Sequence, residues 1–323
     1  MTKQGTKASF KRPQKPENSK TISMKHRSVA QLLSTLMILS AITPTFSEKF
    51  AILAAGSNGY KYYQHQANVC HAYQTLLHGQ IPASNIIVFI YNDIALNADN
   101  PFPGKIFNKP NGQDIYSNCG IDYMQAELTP TNFINVITGN SSAMKGIGTG
   151  RVLESGSSDS VFIYFAGNGG PNFIDFSTGP LFASSLQTAI QKMQSQGLFK
   201  NLLVYLEAGE SGSMFPSLNA TGSVYALTSS SAKESAYGTY CPSDDVVQGA
   251  HIGTCLGSLF SVSWLEETDS SNRATTSLQA QYESIKARVN LSTVTQFGNL
   301  NLAKLPLSTF FGTQSSENLN FEE

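Results

Sequence analysis

The chain has 323 residues and is nearly neutral, with 21 basic and 22 acidic side chains and a formal net charge of −1. Proteins that bind nucleic acid need clustered Lys and Arg to meet the phosphates, so this charge balance argues against nucleic acid as a partner. With 41% hydrophobic residues, the chain is long enough for one large domain or two small ones.

The first 47 residues are predicted to be an N-terminal extension that ends in a signal peptide. Met24-Lys25-His26-Arg27 forms a charged start, and an apolar run follows from Ala30 to Ile42. This run has the length of a secretory signal and is shorter than the ~20 residues of a membrane span. We interpret residues 24–47 as the signal, with a membrane anchor as the alternative. We therefore expect a mature protein without a membrane span, in the secretory pathway and then in a lysosomal, vacuolar or extracellular location.

Residues 48–291 alternate apolar runs with helical patterns and are predicted to form one α/β domain. The runs are rich in Val, Ile, Phe and Tyr, and several are apolar throughout, which is typical of a mostly parallel sheet of about six strands flanked by helices. The predicted strands are Phe50–Ala55, Ile86–Tyr91, Val161–Phe165, Leu202–Leu206, Val224–Thr228 and Leu259–Trp264. The predicted helices cover residues 64–78, 130–138, 181–196 and 274–290. Residues 292–323 lose this periodicity and are predicted to be a loose tail.

Three glycine-rich loops follow predicted strands, where open α/β sheets bind their ligands. They read AAGSNGY after the first strand, AGNGGP at residues 166–171 and EAGESGSM after the fourth strand. None has the spacing of a phosphate-binding loop, and no His/Cys/Asp cluster has the spacing of a zinc site, so we expect neither a cofactor nor a metal. Ser211 stands in a sequence that resembles a nucleophile elbow, but position 213 is Ser rather than Gly, which leaves a Ser211–His65 pair as an alternative.

Four cysteines and three glycosylation sequons fit an oxidising, secretory compartment. Cys241 and Cys255 flank a polar stretch with Pro242 and Gly249, which predicts a local disulfide. Cys70 lies among apolar residues of a predicted helix and is expected to be a buried free thiol. The sequons predict glycans on three asparagines, Asn140, Asn219 and Asn290.

Several longer stretches carry a family resemblance. They are AAGSNGYKYYQHQANVCHAYQTLLHGQIPASNIIVFIYNDIA, DNPFPGKIFNKPNGQDIY, KGIGTGRVL, and GTYCP followed by GTCLGSLFSVSWLEE. In these motifs the chain resembles the legumain family of asparaginyl endopeptidases, and in the last of them especially the plant vacuolar processing enzymes. The resemblance covers about residues 50–300. It implies a caspase-like α/β fold, in agreement with the sheet predicted above, and it supports the Cys241–Cys255 disulfide.

The same resemblance implies that both catalytic residues of the family are replaced. The family's base is the His of a DHG motif, where this chain has Gly167-Asn168-Gly169, and its nucleophile is the Cys of EACESGS, where this chain has Gly209. A cysteine protease needs a thiolate to attack the carbonyl carbon and an imidazole to move the proton. Asn168 and Gly209 can do neither, while the backbone N–H of Gly169, at the oxyanion position, remains able to bind a carbonyl.

The pocket that holds the substrate Asn in the family is altered as well. The family's Arg in a YRH motif corresponds to Gln64, its Asp in LGD to Ser258, and its catalytic-site Asn, two residues before the Arg, to Tyr62. Glu207 is retained, and His65 completes the set of pocket positions. Gln64 cannot supply the charged, forked donor that an Arg provides.

We therefore predict a family member that is catalytically inactive and acts by binding a peptide or protein, with an active legumain-like protease as one such partner. The alternative is a residual or altered hydrolase or ligase activity on Asn- or Asp-containing peptides, with Ser211 as the nucleophile. Legumain-like zymogens carry a helical prodomain after the catalytic domain, and we expect none here because the chain ends at Glu323, with a truncated sequence as the alternative.

Overall fold

The computed structural model describes residues 47–218 and 222–313, together with isolated residues among the first 14. Residues 24–46 of the predicted signal peptide and the sequon at Asn219 lie outside the described residues. Met1–Phe46 and Ser47–Glu323 are separate units, and the fold described below is that of the second. Among the helices of the described residues, none combines the length and the apolar character that a membrane crossing requires.

The described part of the chain contains both strands and helices. The strands are β1 (Lys49–Ala55), β2 (Ile86–Phe89), β3 (Ser160–Ala166), β4 (Asn168–Gly170), β5 (Phe173–Phe176), β6 (Gly179–Phe182), β7 (Asn201–Glu207), β8 (Val224–Thr228), β9 (Gly238–Thr239), β10 (Val246–Val247), β11 (Ala250–His251), β12 (Gly257–Ser258) and β13 (Thr295–Gly298). The α-helices are α1 (Tyr63–His78), α2 (Pro130–Ile137), α3 (Ser141–Met144), α4 (Ala183–Ser195), α5 (Leu259–Ser270), α6 (Leu278–Arg288) and α7 (Ser308–Phe311). Single 3₁₀ turns cover Tyr60–Tyr62, Ala83–Asn85, Gln125–Glu127, Ser211–Met214 and Leu300–Lys304.

The central sheet has six strands in the order β13-β8-β7-β3-β1-β2. Its first five strands in chain order run parallel to their neighbours, and β13 pairs antiparallel with β8 at one edge. This arrangement confirms the predicted mostly parallel α/β sheet. The smaller sheets are antiparallel: β4, β5 and β6 form one directly after β3, β10 pairs with β11, and β12 pairs with β9.

Two predictions about the C-terminal third are wrong. Leu259–Trp264 is not a strand but the start of helix α5. The run is apolar, and Phe260 and Trp264 are buried; such a short run does not distinguish a buried strand from a buried helix. The sixth strand is β13 instead, which lies in the segment predicted to be a loose tail. The described part of that segment contains β13 and a short helix that ends at Phe311, whose side chain is fully buried.

Both faces of the central sheet are buried, as the apolar runs predict. In β1, Ile52 and Ala54 contribute to one hydrophobic cluster, and Leu53 and Ala55 contribute to the other. Side chains of α2 and α4 complete the first cluster, and those of α1, α5, α6 and α7 complete the second. With helices on both faces, the carboxyl edge of the sheet is where side chains from several strands can meet.

All four cysteines form disulfides. The Cys241–Cys255 disulfide confirms the prediction. The prediction of a free thiol at Cys70 is wrong, because Cys70 of α1 is bonded to Cys119. Nothing in the apolar surroundings of Cys70 indicates a partner that lies 49 residues away in the sequence.

Candidate functional site

Three parallel strands at the centre of the sheet end level with one another. In the register of the sheet, Ala55 of β1 lies beside Ala166 of β3, and Ala166 lies beside Glu207 of β7. The ladder continues one residue further, because the Gly56 N–H donates to the Ala166 carbonyl at 2.9 Å and the Gly167 N–H donates to the Glu207 carbonyl at 3.0 Å. The three glycine-rich loops predicted from the sequence therefore begin side by side at one edge of the sheet.

The positions that the resemblance assigns to the catalytic pair belong to two loops in direct contact. Asn168 and Gly169 open strand β4, and a Cβ atom on Gly169 would lie 2.6 Å from the Gly209 carbonyl oxygen and 2.9 Å from the Ala208 Cβ. Only glycine at residue 169 allows this close approach. At Gly209 the nearest atom to a Cβ would be the Gly169 carbonyl oxygen at 3.6 Å, an ordinary contact. The site has room for a side chain at residue 209, where the sequence supplies none.

No thiol is present at these loops, because the chain has four cysteines, all among the described residues and all in disulfides. Ser211 is fully buried, and its hydroxyl oxygen lies 3.3 Å from that of Ser229 and 3.1 Å from that of Ser230. The Nδ1 of His65 lies 2.9 Å from the Ser57 hydroxyl instead. Ser211 and His65 thus have other partners, which argues against the alternative pair.

Glu207 ends strand β7 and is 1% exposed. Its Oε2 accepts hydrogen bonds from the Ser261 N–H at 3.0 Å and the Ser261 hydroxyl at 2.9 Å. Its Oε1 has no hydrogen-bond partner among the described residues, since the nearby Ser229 hydroxyl donates its one proton to the Ala208 carbonyl at 3.1 Å. Burial raises the pKa of Glu207 to about 7, so the carboxyl group is neutral in acid.

The other predicted pocket positions lie around the start of helix α1. The ring of Tyr62 stacks on the ring of His65, with centroids 5.7 Å apart. Burial lowers the pKa of His65 to about 4, so this imidazole is neutral at pH values well above that. The Oε1 of Gln64 is buried and has no hydrogen-bond partner in the part of the chain that the structure describes. The start of α1 therefore presents an amide where the resemblance expects a guanidinium.

Ser258 of β12 is buried against the helix face that carries Gln64. The Asn68 amide donates to the Ser258 hydroxyl at 2.8 Å, and the Ser258 N–H donates to the Asn68 Oδ1 at 3.3 Å. Three residues later, Ser261 donates two hydrogen bonds to the carboxyl group of Glu207. The structure thus brings Ser258 and Glu207 together through the start of α5. Asn68 and Ser261 are not among the predicted site residues, although Asn68 follows Gln64 by four residues and helical spacing places both on one face.

Two of the three predicted glycosylation sites are among the described residues. Asn140 is partly exposed and caps helix α3, where its Oδ1 accepts from the Ala143 N–H and its amide donates to Asn135. Asn290 is exposed and follows the end of α6. Glycans at these positions stay a prediction.

Comparison with known proteins gives matches over most of the chain. Residues 49–313 match the Peptidase C13 family. A vacuolar-processing enzyme of Vicia sativa is 44% identical over 278 residues, 84% of this chain and 56% of that protein. The delta-isozyme of Arabidopsis thaliana is 41% identical, over 90% of this chain and 64% of that protein. Legumain of Bos taurus is 38% identical, over 81% of this chain and 59% of that protein.

Among solved structures, caspase-1 from Spodoptera frugiperda matches with a TM-score of 0.49 and 9% sequence identity, over 84% of this chain and 92% of that one. The chain spans 56% to 64% of the length of the three relatives named above. The family profile covers nearly all of the described domain, from the first strand to the last described residue. The chain belongs to the Peptidase C13 family.

Proposed function

We propose that this chain binds a peptide or protein at the glycine-rich strand ends and does not hydrolyse it. The observation that carries this proposal is the empty position at Gly209, in a chain whose four cysteines are all in disulfides. A cysteine peptidase acts through a thiolate, and this loop has none to offer. The neighbouring Asn168 has an amide that does not titrate and so cannot move a proton.

The loss of such residues has a large effect on turnover. In a well-studied serine protease, removal of the catalytic nucleophile or base lowers kcat by on the order of 10⁶. An altered activity through Ser211 is the alternative, and the complete burial of Ser211 among serine hydroxyls argues against it. Binding is the function that the remaining backbone N–H groups and pocket walls support.

A cavity of about 410 Å³ adjoins the loop after Gly209 and supports ligand binding there. It is lined by Pro171, Asn172, Gly212, Ser213, Pro216, Ser231, Ala232, Thr295 and Phe297. A second cavity of the same volume lies at the opposite edge of the sheet, so volume alone does not select a site. The carboxyl edge is favoured because ligands of open α/β sheets bind there.

The compartment and the partner belong to the same proposal. Relatives are named vacuolar-processing enzymes, which supports a route through the secretory pathway to a vacuolar or lysosomal lumen. The two disulfides are consistent with an oxidising compartment during folding. Within such a lumen, a peptide segment or an active relative of this chain is the partner that a former substrate site would hold.

The binding proposal is tested with a labelled peptide that contains one central Asn, titrated with the full-length protein at about pH 5 and followed by fluorescence anisotropy. Gly209→Leu places a bulky side chain in the open position and is expected to weaken binding on the order of tenfold or more. The matched control is Gly156→Leu, because a Cβ there meets only the Asp159 carboxylate at 3.7 Å and lies at the opposite edge of the sheet. Saturable binding lost in Gly209→Leu alone supports the proposal; no binding, or equal binding by both variants, contradicts it.

A further inference from the structure

A stripe of polar residues runs along one buried face of helix α1. Gln64, Asn68, His71 and Thr75 follow one another at spacings of four, three and four residues, which places them on a single side of the helix. Asn68 and Thr75 are at most 1% exposed. Most buried polar side chains are hydrogen-bonded, so the partners of Asn68, His71 and Thr75 show what this part of the helix does.

Both ring nitrogens of His71 face oxygen atoms. Nδ1 lies 2.8 Å from the Asn108 Oδ1, and Nε2 lies 2.8 Å from the Asp269 Oδ2. The orientation of the Asn108 amide is fixed, because its NH₂ group donates to the Leu256 carbonyl at 2.9 Å and to the Asn68 Oδ1 at 3.0 Å. The Asn108 oxygen therefore has to accept from His71. A histidine that donates from both nitrogens carries a positive charge.

The charges around His71 favour this protonated form. Asp269 and Glu266 of α5 supply negative charge, and Asp269 also accepts from the Thr75 hydroxyl at 2.9 Å. The Arg273 guanidinium lies on the far carboxylate oxygen of Asp269, at 3.4 Å. Burial by itself lowers the pKa of His71, but the contacts with Asp269 and Asn108 outweigh it and raise the pKa above its ordinary value.

The hydrogen bonds continue from His71 to the wall of the candidate site. The Asn108 NH₂ group donates to the Asn68 Oδ1 at 3.0 Å. Asn68 in turn accepts from the Ser258 N–H at 3.3 Å and donates to the Ser258 hydroxyl at 2.8 Å. The side-chain amides of Asn68 and Asn108 each have one orientation, because their other hydrogen-bond partners fix which atom is the oxygen and which is the NH₂ group.

We propose that protonated His71 is a latch that positions Ser258: it fixes Asn108, and through Asn68 it holds the wall of the candidate site in place. A neutral His71 keeps one N–H, which Asp269 retains as the stronger acceptor, so the contact with Asn108 is the one that opens. His71 is thus a positioning residue that acts through two amides. This inference concerns the shape of the site and does not rest on peptide binding.

The pH dependence has a definite sign. Because the pKa of folded His71 is raised above its unfolded value of about 6.5, its stabilising contribution is fully present below that value. The contribution is lost as the pH rises through the folded pKa. The latch is therefore closed in acid and opens toward alkaline pH.

The latch is tested first on the unaltered, full-length protein by amide hydrogen exchange measured residue by residue with NMR. The protection factor of the Ser258 amide, corrected for the intrinsic effect of pH, is expected to fall on the order of tenfold between about pH 5 and a pH at which the His71 ring has lost its proton. Its midpoint should coincide with the titration of the His71 ring protons. A Ser258 amide whose protection stays constant while His71 loses its proton overturns the proposal.

Three variants separate the latch from general effects of pH. His71→Gln should abolish the pH step at Ser258, whereas the same change at His78, an exposed residue on the same helix, should leave it intact. Asn68→Ala should give low Ser258 protection at both pH values while His71 still titrates. A pH step that survives in His71→Gln contradicts the latch; if that variant does not fold, the measurement on the unaltered protein decides.

Glu207, whose pKa is about 7, is a second titrating group and bonds Ser261, so the two residues need separate readouts. The Ser261 amide reports on Glu207, and the Ser258 amide reports on His71 through Asn68. In His71→Gln the pH step at Ser261 should persist and the step at Ser258 should vanish. Loss of both steps together would contradict a specific link between His71 and Ser258.

Discussion

Glu207 is the residue of the candidate site whose chemistry depends most on the fold. One carboxylate oxygen is held by Ser261, the other has no hydrogen-bond partner among the described residues, and the side chain is buried at the end of β7. A buried acid with incomplete hydrogen bonding avoids ionisation, which is why its pKa rises to about 7. In an acidic lumen Glu207 is a neutral group that can both donate and accept hydrogen bonds.

The stability of the protein is expected to depend on the proton carried by Glu207. Because the folded pKa of about 7 exceeds the ordinary value of 4.5, the free energy of unfolding falls as the pH rises from about 4.5 through about 7, by roughly 3 kcal/mol. Glu207→Gln should remove this fall and be the more stable protein at about pH 8. Urea unfolding at several pH values measures the difference in the free energy of unfolding between the two proteins. The contributions of His65 and His71 are the same in both proteins and cancel in this difference.

The control for this prediction is Glu154→Gln, which changes an exposed glutamate at the other edge of the sheet. It should keep the pH dependence of the unaltered protein. Equal pH profiles for Glu207→Gln and the unaltered protein would show that Glu207 ionises in the fold as it does in water.

At the scale of helices and strands, the sequence predicts five of the six central strands and four helices because their apolar periodicity is regular. It fails at Leu259–Trp264, where the apolar run belongs to a helix buried against the sheet, and at β13, which is short and only partly buried. The loops of the site could be placed because each follows a predictable strand. The hydrogen bonds of Asn68 and Ser261 could not be predicted from the sequence, since they depend on the docking of β12 and α5 against α1.

The Cys70–Cys119 disulfide, also missed from the sequence, is an element-scale constraint because it ties helix α1 to the loop before α2. It closes a separation of 49 residues, against 14 for Cys241–Cys255, so loop entropy predicts stabilisation of about 4 and about 3 kcal/mol respectively. Replacing both cysteines of each pair by Ala and measuring urea unfolding should therefore show the larger loss for the longer loop. Equal or reversed losses would mean that strain or residual structure outweighs loop closure.

At the scale of the whole molecule, a domain that belongs to the Peptidase C13 family carries strand-end loops with neither a cysteine nor a histidine. The sheet, its helices and the close approach of Gly169 to Gly209 are all present. In the loop after β7, residue 209 has space for a side chain and the sequence supplies none. Under the proposed function, this domain holds a peptide without cutting it.

Variants that introduce catalytic side chains at the strand ends test whether these side chains alone would give peptidase activity. Asn168→His with Gly209→Cys installs the missing imidazole and thiol, and the space at residue 209 accepts the new Cβ without a clash. We expect little cleavage of Asn peptides by this double variant, because Gln64 and Ser258 lack the charges that would orient a bound Asn side chain for attack. Adding Gln64→Arg and Ser258→Asp should raise the rate over the double variant on the order of 10²-fold, since a well-placed substrate is worth about that much.

The proposed lack of peptidase activity is tested most directly by incubating an Asn-containing peptide with the unaltered full-length protein across about pH 4 to 7 and following turnover by mass spectrometry. The protein is expected to bind the peptide and to release it intact, with no cleavage or ligation above the buffer rate. Turnover by the unaltered protein would contradict the proposed inactivity. Its loss in Ser211→Ala would identify Ser211 as the nucleophile.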